Sequence, residues 1–271
     1  MKIKFREAKS IITKSNIPQV DFVINPYTGC QHGCIYCYAE FMIRFTGHKG
    51  DKWGDFLDIK QFDINKIKPQ RYDGKRILLC SVTDPYLPLE KKYQNTRKIL
   101  EKLKETNAEV SILTKSKLVV RDIDLFQQFK NIEVGISINT LNEDFSRVIE
   151  RSASKPLDRL SAIREIHENG IPTYVFISPY FPEITDYKAI IRESIDYTDT
   201  YSFENLNFRP HNTSRIMRII GEHYPGLLSK YKEIQKDRSY WDFLKEDIKK
   251  FCEEQKVDYS IEFHHGGFSK S

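Results

Sequence analysis

Three cysteines stand within one short run, Cys30, Cys34 and Cys37 in Asn25-Pro26-Tyr27-Thr28-Gly29-Cys30-Gln31-His32-Gly33-Cys34-Ile35-Tyr36-Cys37-Tyr38. Thiolates are the usual ligands of iron–sulfur clusters, and a four-iron cube held by three of them leaves one iron open, much as a catalytic zinc keeps one position for substrate. An open iron is a place for chemistry. Two other readings use the same residues. A structural zinc site would add His32, but such sites pair a first couple of cysteines with a second, distant couple that this chain does not contain. An electron-transfer cluster needs a fourth cysteine, and of the five in the chain only Cys80 and Cys252 remain. Neither extends the motif locally.

A loop of this kind needs strands and helices to hold it. Apolar, β-branched runs recur along the chain at 20–24, 76–82, 110–114, 132–138, 173–177 and 201–208. The first five are continuous, the pattern of strands buried on both faces. Helical patterns alternate with them at 91–106, 121–129, 157–169 and 186–197, and Asn169-Gly170-Ile171-Pro172 closes one helix with Gly past its end and Pro just beyond. Strict alternation implies parallel strands joined by right-handed crossovers, and six units fit an α/β fold, a partial (β/α)6 barrel. Active sites of such barrels lie at the C-terminal ends of the strands. From residue 239 a long helix, 241–255, and a short strand, 257–263, follow as a C-terminal extension. With no repeat, low-complexity tract or linker, one domain over 1–271 is expected, its core at about 18–210 and its extension at about 211–271.

Composition narrows the setting. Hydrophobic residues make up 39% and charged residues 30%, ordinary for a soluble globular protein. No apolar run reaches the roughly 18 residues of a membrane span, and the first residues, Met1-Lys2-Ile3-Lys4-Phe5-Arg6, lack the apolar core of a signal peptide. A cytoplasmic setting is expected, with no membrane partner, and its reducing conditions suit thiolate ligands better than a disulfide framework. A net charge of +5 permits a polyanionic partner without requiring one.

The cysteine spacing, with aromatic Tyr36 just before the last cysteine, resembles the signature of the radical S-adenosylmethionine (SAM) superfamily. The strand ends extend the likeness. Cys80-Ser81-Val82-Thr83-Asp84-Pro85 after the second strand, Thr114-Lys115-Ser116 after the third and Ser137-Ile138-Asn139 on the fourth resemble the spore photoproduct lyase family and its DNA-repair-photolyase-like relatives, over about 25–210. The resemblance implies a 4Fe–4S cluster on Cys30, Cys34 and Cys37, and SAM bound with help from Tyr36, Thr83, Asp84, Lys115 and Ser137. An ammonium pairs with the SAM carboxylate, and hydroxyls or a carboxylate satisfy its amino and ribose groups. For Lys115 a solvated loop lysine, and for Ser137 a hydroxyl satisfied within the sheet, are the structural alternatives. Tyr36 and Tyr38 flank the third cysteine as in the lyase, and the resemblance implies a catalytic part for both. Cys80 stands near the position of a cysteine that returns a hydrogen atom to the lyase's product radical, one residue farther from the aspartate than the family pattern has it. The alternative is a buried structural cysteine, the expectation also for Cys252.

The activity implied is reductive cleavage of SAM to a 5′-deoxyadenosyl radical that takes a hydrogen from an unactivated C–H bond. A flavodoxin- or ferredoxin-type protein would supply the electron. The resemblance favours a nucleic-acid lesion or modified base as substrate, which would leave its stack to enter a barrel. Modification of a peptide or small metabolite is a second reading, and a SAM-binding iron–sulfur sensor without turnover a third. Arg209, His211, Asn212, Arg215 and Arg218 after the sixth strand are candidates to meet phosphates, Tyr180 and Phe181 to stack on a base or cap the barrel, and His264 and His265 to reach the site from the C-terminus.

Overall fold

In the computed structural model, which describes residues 1–263, the foreseen strands lie side by side. The chain opens with β1 (Lys2–Glu7), β2 (Ile12–Lys14), β3 (Phe22–Ile24) and β4 (Tyr27–Thr28), and β5 (Phe56–Gln61) follows the cysteine loop. Next come β6 (Arg76–Leu79), α1 (Glu90–Tyr93), α2 (Asn95–Leu103), β7 (Glu109–Thr114), α3 (Ile123–Phe126), β8 (Ile132–Ser137), α4 (Glu143–Ile149) and α5 (Pro156–Glu168). Then follow β9 (Thr173–Tyr180), α6 (Tyr187–Ser194), β10 (Thr200–Asn205), α7 (Thr213–His223), α8 (Leu228–Lys236), α9 (Ser239–Gln255) and β11 (Asp258–Glu262).

Eight strands form one sheet in the order β11-β10-β9-β8-β7-β6-β3-β2, parallel except for the antiparallel edge strand β2. Its two edge strands do not pair, so the barrel is partial, as expected. The short C-terminal strand adds to the sheet as a seventh parallel strand beside β10. His264 and His265 lie outside the described residues.

Side chains alternate between two environments. Ile77, Leu79, Val110, Ile112, Val134, Ile136, Val175, Ile177, Tyr201 and Phe203 are buried in the main core. Each wholly buried aliphatic or aromatic side chain of this kind contributes roughly 1.5–3 kcal/mol. The opposite face carries Leu78, Ser111, Glu133, Gly135, Tyr174, Phe176, Ser202 and Glu204, aligned by the register. Gly135 is required there, because a Cβ would stand 2.1 Å from the ring of Tyr174 on the neighbouring strand.

Some boundaries differ from the sequence reading. The second strand ends at Leu79 rather than 82, because Cys80 adopts a left-handed backbone (φ 68°) that a strand cannot continue. The helix expected at 91–106 is broken at Gln94 (φ 53°) into α1 and α2. That expected at 121–129 shrinks to one turn, α3, after a 3-10 segment at Lys117–Asp122. A separate three-stranded sheet, β1-β5-β4, was not foreseen. It lies beside the cysteine loop, which leaves β4 and ends in a 3-10 helix at Tyr38–Phe45. No helix among the described residues is long and apolar enough to cross a membrane.

Candidate active site

Two glycines let the cysteine loop turn back on itself. Gly29 (φ 86°) presses on Phe56, where a Cβ would come within 2.6 Å of the backbone oxygen, and Gly33 (φ 57°) lies under Arg151. Cys30 and Cys34 are buried, Cys37 is half-buried, and all three are free thiols. Burial pushes each thiol pKa up, while the Lys115 ammonium pulls those of Cys34 and Cys37 down. Thiols in such a setting keep their protons until a cation takes their place, as metal binding requires.

The loop's carbonyls are held from outside. Thr83 Oγ1 donates to Gly29 O at 2.6 Å. Asn212 Nδ2 donates to Tyr36 O at 2.9 Å, Arg215 Nε to Ile35 O at 2.8 Å, and His211 Nε2 lies 3.3 Å from Cys37 O. Arg215 also pairs with Glu40 at 2.5 Å, and Arg218 pairs with Glu222 one helical turn away. Residues expected at phosphates thus mostly grip the cysteine loop. Tyr180 and Phe181 are buried in the aromatic core against Trp241, Tyr187, Tyr36 and Phe145, the capping alternative. Cys252 is fully buried.

Asp84 is the node between loop and sheet. Its oxygens accept from Thr114 Oγ1 at 2.6 Å, Tyr86 N at 2.8 Å and Lys115 N at 2.9 Å. His32 Nε2 stands 3.1 Å away, near enough for an ion pair though not aligned as a hydrogen bond, and His32 Nδ1 meets Ser152 O at 3.0 Å. Burial alone would raise the Asp84 pKa, but the His32 ring, the Thr114 hydroxyl and the Lys115 amide together hold it at about 2, below its ordinary 3.8. Because the folded value lies below the unfolded one, Asp84 stabilises the fold fully above about pH 4, and this is lost as the pH falls through about 2, roughly 2.5 kcal/mol in all. Urea melts of cluster-free wild type and Asp84→Asn should therefore differ most at neutral pH and converge toward pH 2; a constant difference would contradict this assignment.

Lys115 and Ser137 meet at the strand ends, Nζ donating to Oγ at 2.8 Å, while Ser137 Oγ donates to Ser178 O at 3.1 Å. Lys115 Nζ lies 5.9 Å from the centre of the Tyr36 ring. The Tyr36 hydroxyl donates to Glu150 in a short contact, and Glu150 also receives Asn139 Nδ2 at 3.1 Å and the guanidinium of Arg159. Burial would raise the Glu150 pKa, yet Arg159 and Lys115 hold it below the ordinary value. Tyr38 is half-exposed and its hydroxyl donates to Ser81 O. Cys80 is buried, with Asp84, Cys30, Lys60 and Glu90 as its charged or ionisable neighbours.

Asn139, Glu150 and Arg159 were not singled out from the sequence. The one available signal was an arginine amid the apolar face of α5, beside Leu160, Ile163 and Ile166.

The donor set suits an iron–sulfur cluster. Three buried or half-buried thiols share one braced loop next to a lysine cation. Among the described residues no three His, Cys, Asp or Glu side chains converge as on a single ion, and His32 is engaged by Asp84 and Ser152, so the zinc alternative has no ligand sphere. Ligands of a four-iron cube each bind a different iron and need not converge.

These features define a radical SAM protein, and the Radical SAM superfamily model matches residues 24–192. The chain belongs to that superfamily. An uncharacterized protein of Methanocaldococcus jannaschii is 40% identical over 219 residues, covering 81% of this chain and 82% of that protein. A Radical SAM Nalpha-GlyT isomerase of Pseudomonas phage M6 is 25% identical over 61% of this chain and 34% of that protein. In fold, the chain is similar to spore photoproduct lyase complexed with dinucleoside spore photoproduct, with a TM-score of 0.67 at 15% identity over 97% of this chain and 82% of that one. Membership implies SAM and a 4Fe–4S cluster.

Proposed function

We propose that this chain is a radical SAM enzyme acting on a nucleobase-type substrate, with Cys30, Cys34 and Cys37 as the cluster ligands. The observation that carries the reading is the braced loop of three free thiols facing Lys115 and Ser137 at the C-terminal strand ends. When bound, the cluster and SAM together supply a carbon radical able to take a substrate hydrogen. The protein's own residues orient and shield. Lys115 offers its ammonium to the SAM carboxylate, Ser137 its hydroxyl to the amino or ribose groups, and Tyr36 packs beside both. Thr83 and Asp84 act through the loop, Thr83 by holding Gly29 and Asp84 by tying His32 to the end of β7. Cys80 and Tyr38 are candidates to return a hydrogen atom, and a flavodoxin- or ferredoxin-type protein is the expected electron donor.

The likeness in fold to a lyase complexed with a dinucleoside spore photoproduct supports a base-like substrate. Glu204, which accepts from Ser178 Oγ at 2.6 Å at the strand ends, places a carboxylate at the mouth, while Arg215 and Arg218 are engaged elsewhere. That favours a base or nucleoside read by its edge over a duplex gripped by its phosphates. Binding to single-stranded DNA should accordingly show a slope of log K against log salt no steeper than about −1.5, the value for two phosphates. A slope several times steeper would restore the phosphate-gripping mode.

The decisive assay is anaerobic: reconstituted, reduced protein is given SAM and 5′-deoxyadenosine is sought. Its formation is expected. Its absence from protein that carries an intact cluster and binds SAM would overturn the catalytic reading in favour of a sensor.

A further inference from the structure

Trp53 lies sixteen residues beyond the last cysteine, in the segment that precedes β5. Its side chain is buried, 7% exposed, and packs with Cys30, Ala39 and Phe56, with Cys37, Met42, Ile43 and Val82 around them. Its ring also meets Phe56 edge-on at 5.8 Å. Yet the indole Nε1–H is wholly buried and has no hydrogen-bond partner among the described residues. Leaving such a buried donor unpaired is costly, so an indole N–H without a mate calls for an acceptor that the described residues do not supply in hydrogen-bonding geometry.

The neighbour within reach is the Cys37 sulfur. Cys37 packs against the same buried cluster as Trp53, its sulfur beside the indole but not aligned with it as a hydrogen bond. A neutral thiol is a poor acceptor, whereas a thiolate carrying negative charge is a strong one. The position of the indole is built in. Gly54 (φ 91°), next to Trp53, approaches the cysteine loop so closely that a Cβ would stand 2.7 Å from Gly33 Cα, and Arg151, which covers both glycines, pairs with Asp55 at 2.5 Å. The backbone on one side of Trp53 is thereby stapled to the loop that carries the thiols.

We propose that Trp53 is a tuning residue for the cluster, its indole N–H donating to the sulfur of Cys37 and thereby easing one-electron reduction. The inference rests on the proposed cluster on Cys30, Cys34 and Cys37. Hydrogen bonds to cluster sulfurs are among the levers that set reduction potential, because a donor stabilises the more negative, reduced state. Losing the donor should leave the cluster harder to reduce. At a fixed ambient potential the ratio of reduced to oxidised cluster should fall about threefold to tenfold, because the lost donor weighs more on the more negative, reduced state than on the oxidised one. A tenfold fall corresponds to about 59 mV for a one-electron couple.

The test is a redox titration of the reconstituted protein, followed by the electron paramagnetic resonance of the reduced cluster. Wild type is compared with Trp53→Phe and with Trp53 replaced by 3-benzothienylalanine, which keeps the bicyclic shape and exchanges the N–H for sulfur. Both replacements should carry a full complement of iron and titrate at a more negative potential than wild type. An unchanged potential in the benzothienyl protein would overturn the proposal even if Trp53→Phe shifts, since packing would then explain the shift. Loss of the cluster from the benzothienyl protein would overturn it as well, making the N–H a support of the loop instead. Failure of the wild type to hold a cluster would strike the underlying assignment of Cys30, Cys34 and Cys37, a separately visible result.

Discussion

Cys34→Ala protein reconstituted with iron and sulfide should retain no four-iron cluster and form no 5′-deoxyadenosine, a loss of more than about 100-fold against wild type. The magnitude follows from comparison: removing groups that merely support a metal ligand already costs 10–100-fold in affinity or activity, roughly, and Cys34 is proposed as a ligand itself. The sharper part of the expectation is the contrast with the other buried cysteines. Cys80 sits next to Cys30 in charge terms, but it leaves β6 in a left-handed turn whose neighbours are Asp84, Lys60 and Glu90. Cys252 lies in the core under α9. Cys80→Ala and Cys252→Ala should therefore hold a full cluster, as read by iron content and visible absorption. Equal cluster loss in Cys34→Ala and Cys80→Ala would refute the assignment of the three-cysteine loop as the ligand set.

Arg159→Met should destabilise the protein by about 3–5 kcal/mol, because it leaves the Glu150 carboxylate buried without its counter-charge. Arg159 is 1% exposed and Glu150 2% exposed. Besides Glu150, the guanidinium donates to Ser137 O at 2.9 Å and Ser154 O at 2.8 Å, so its loss also releases the end of β8 and the turn that leads into α5. Against a total stability of about 5–15 kcal/mol, this is enough to unfold a marginal domain. The double variant Arg159→Met with Glu150→Leu should recover a large part of the loss, since an apolar pair of similar volume is often nearly neutral at such sites. Incomplete recovery is expected, because Tyr36 and Asn139 lose their acceptor. Denaturant unfolding of the cluster-free variants would measure both. A cost below 1 kcal/mol for Arg159→Met would mean that water reaches Glu150.

The two expectations are linked through Tyr36. Its hydroxyl is held by Glu150 and its carbonyl by Asn212, so the residue between Cys34 and Cys37 is tied at both ends to elements far along the chain. The cysteine loop is thus a short segment whose shape is imposed by α4, α5 and the start of α7.

The loop itself was legible because its information is local: the cysteine spacing, the flanking aromatic residues and the permissive glycines all fall within one short run. The parallel strands were legible for a similar reason, since apolar runs such as Val110–Thr114 pack on a core from alternate positions, here Val110, Ile112 and Thr114. β1 carried a signal that passed unread. Ile3 and Phe5 alternate with charges as a strand would, but all six residues are exposed, so composition there resembles a solvated tail until β5 is seen beside it.

Near neighbours in the chain carry the chemistry on offer, three thiols at a fixed spacing and an alternating α/β frame with polar residues after its strands. How those groups are used is set by packing between distant segments. It turned Thr83 toward Gly29, set Asp84 against His32, engaged Asn212 and Arg215 with the loop and packed Trp53 into the cluster that Cys37 also joins. These roles depend on burial and on partners up to 180 residues apart. In low dielectric a charge or an N–H is worth most where its partner is, and no local pattern records where that partner will be.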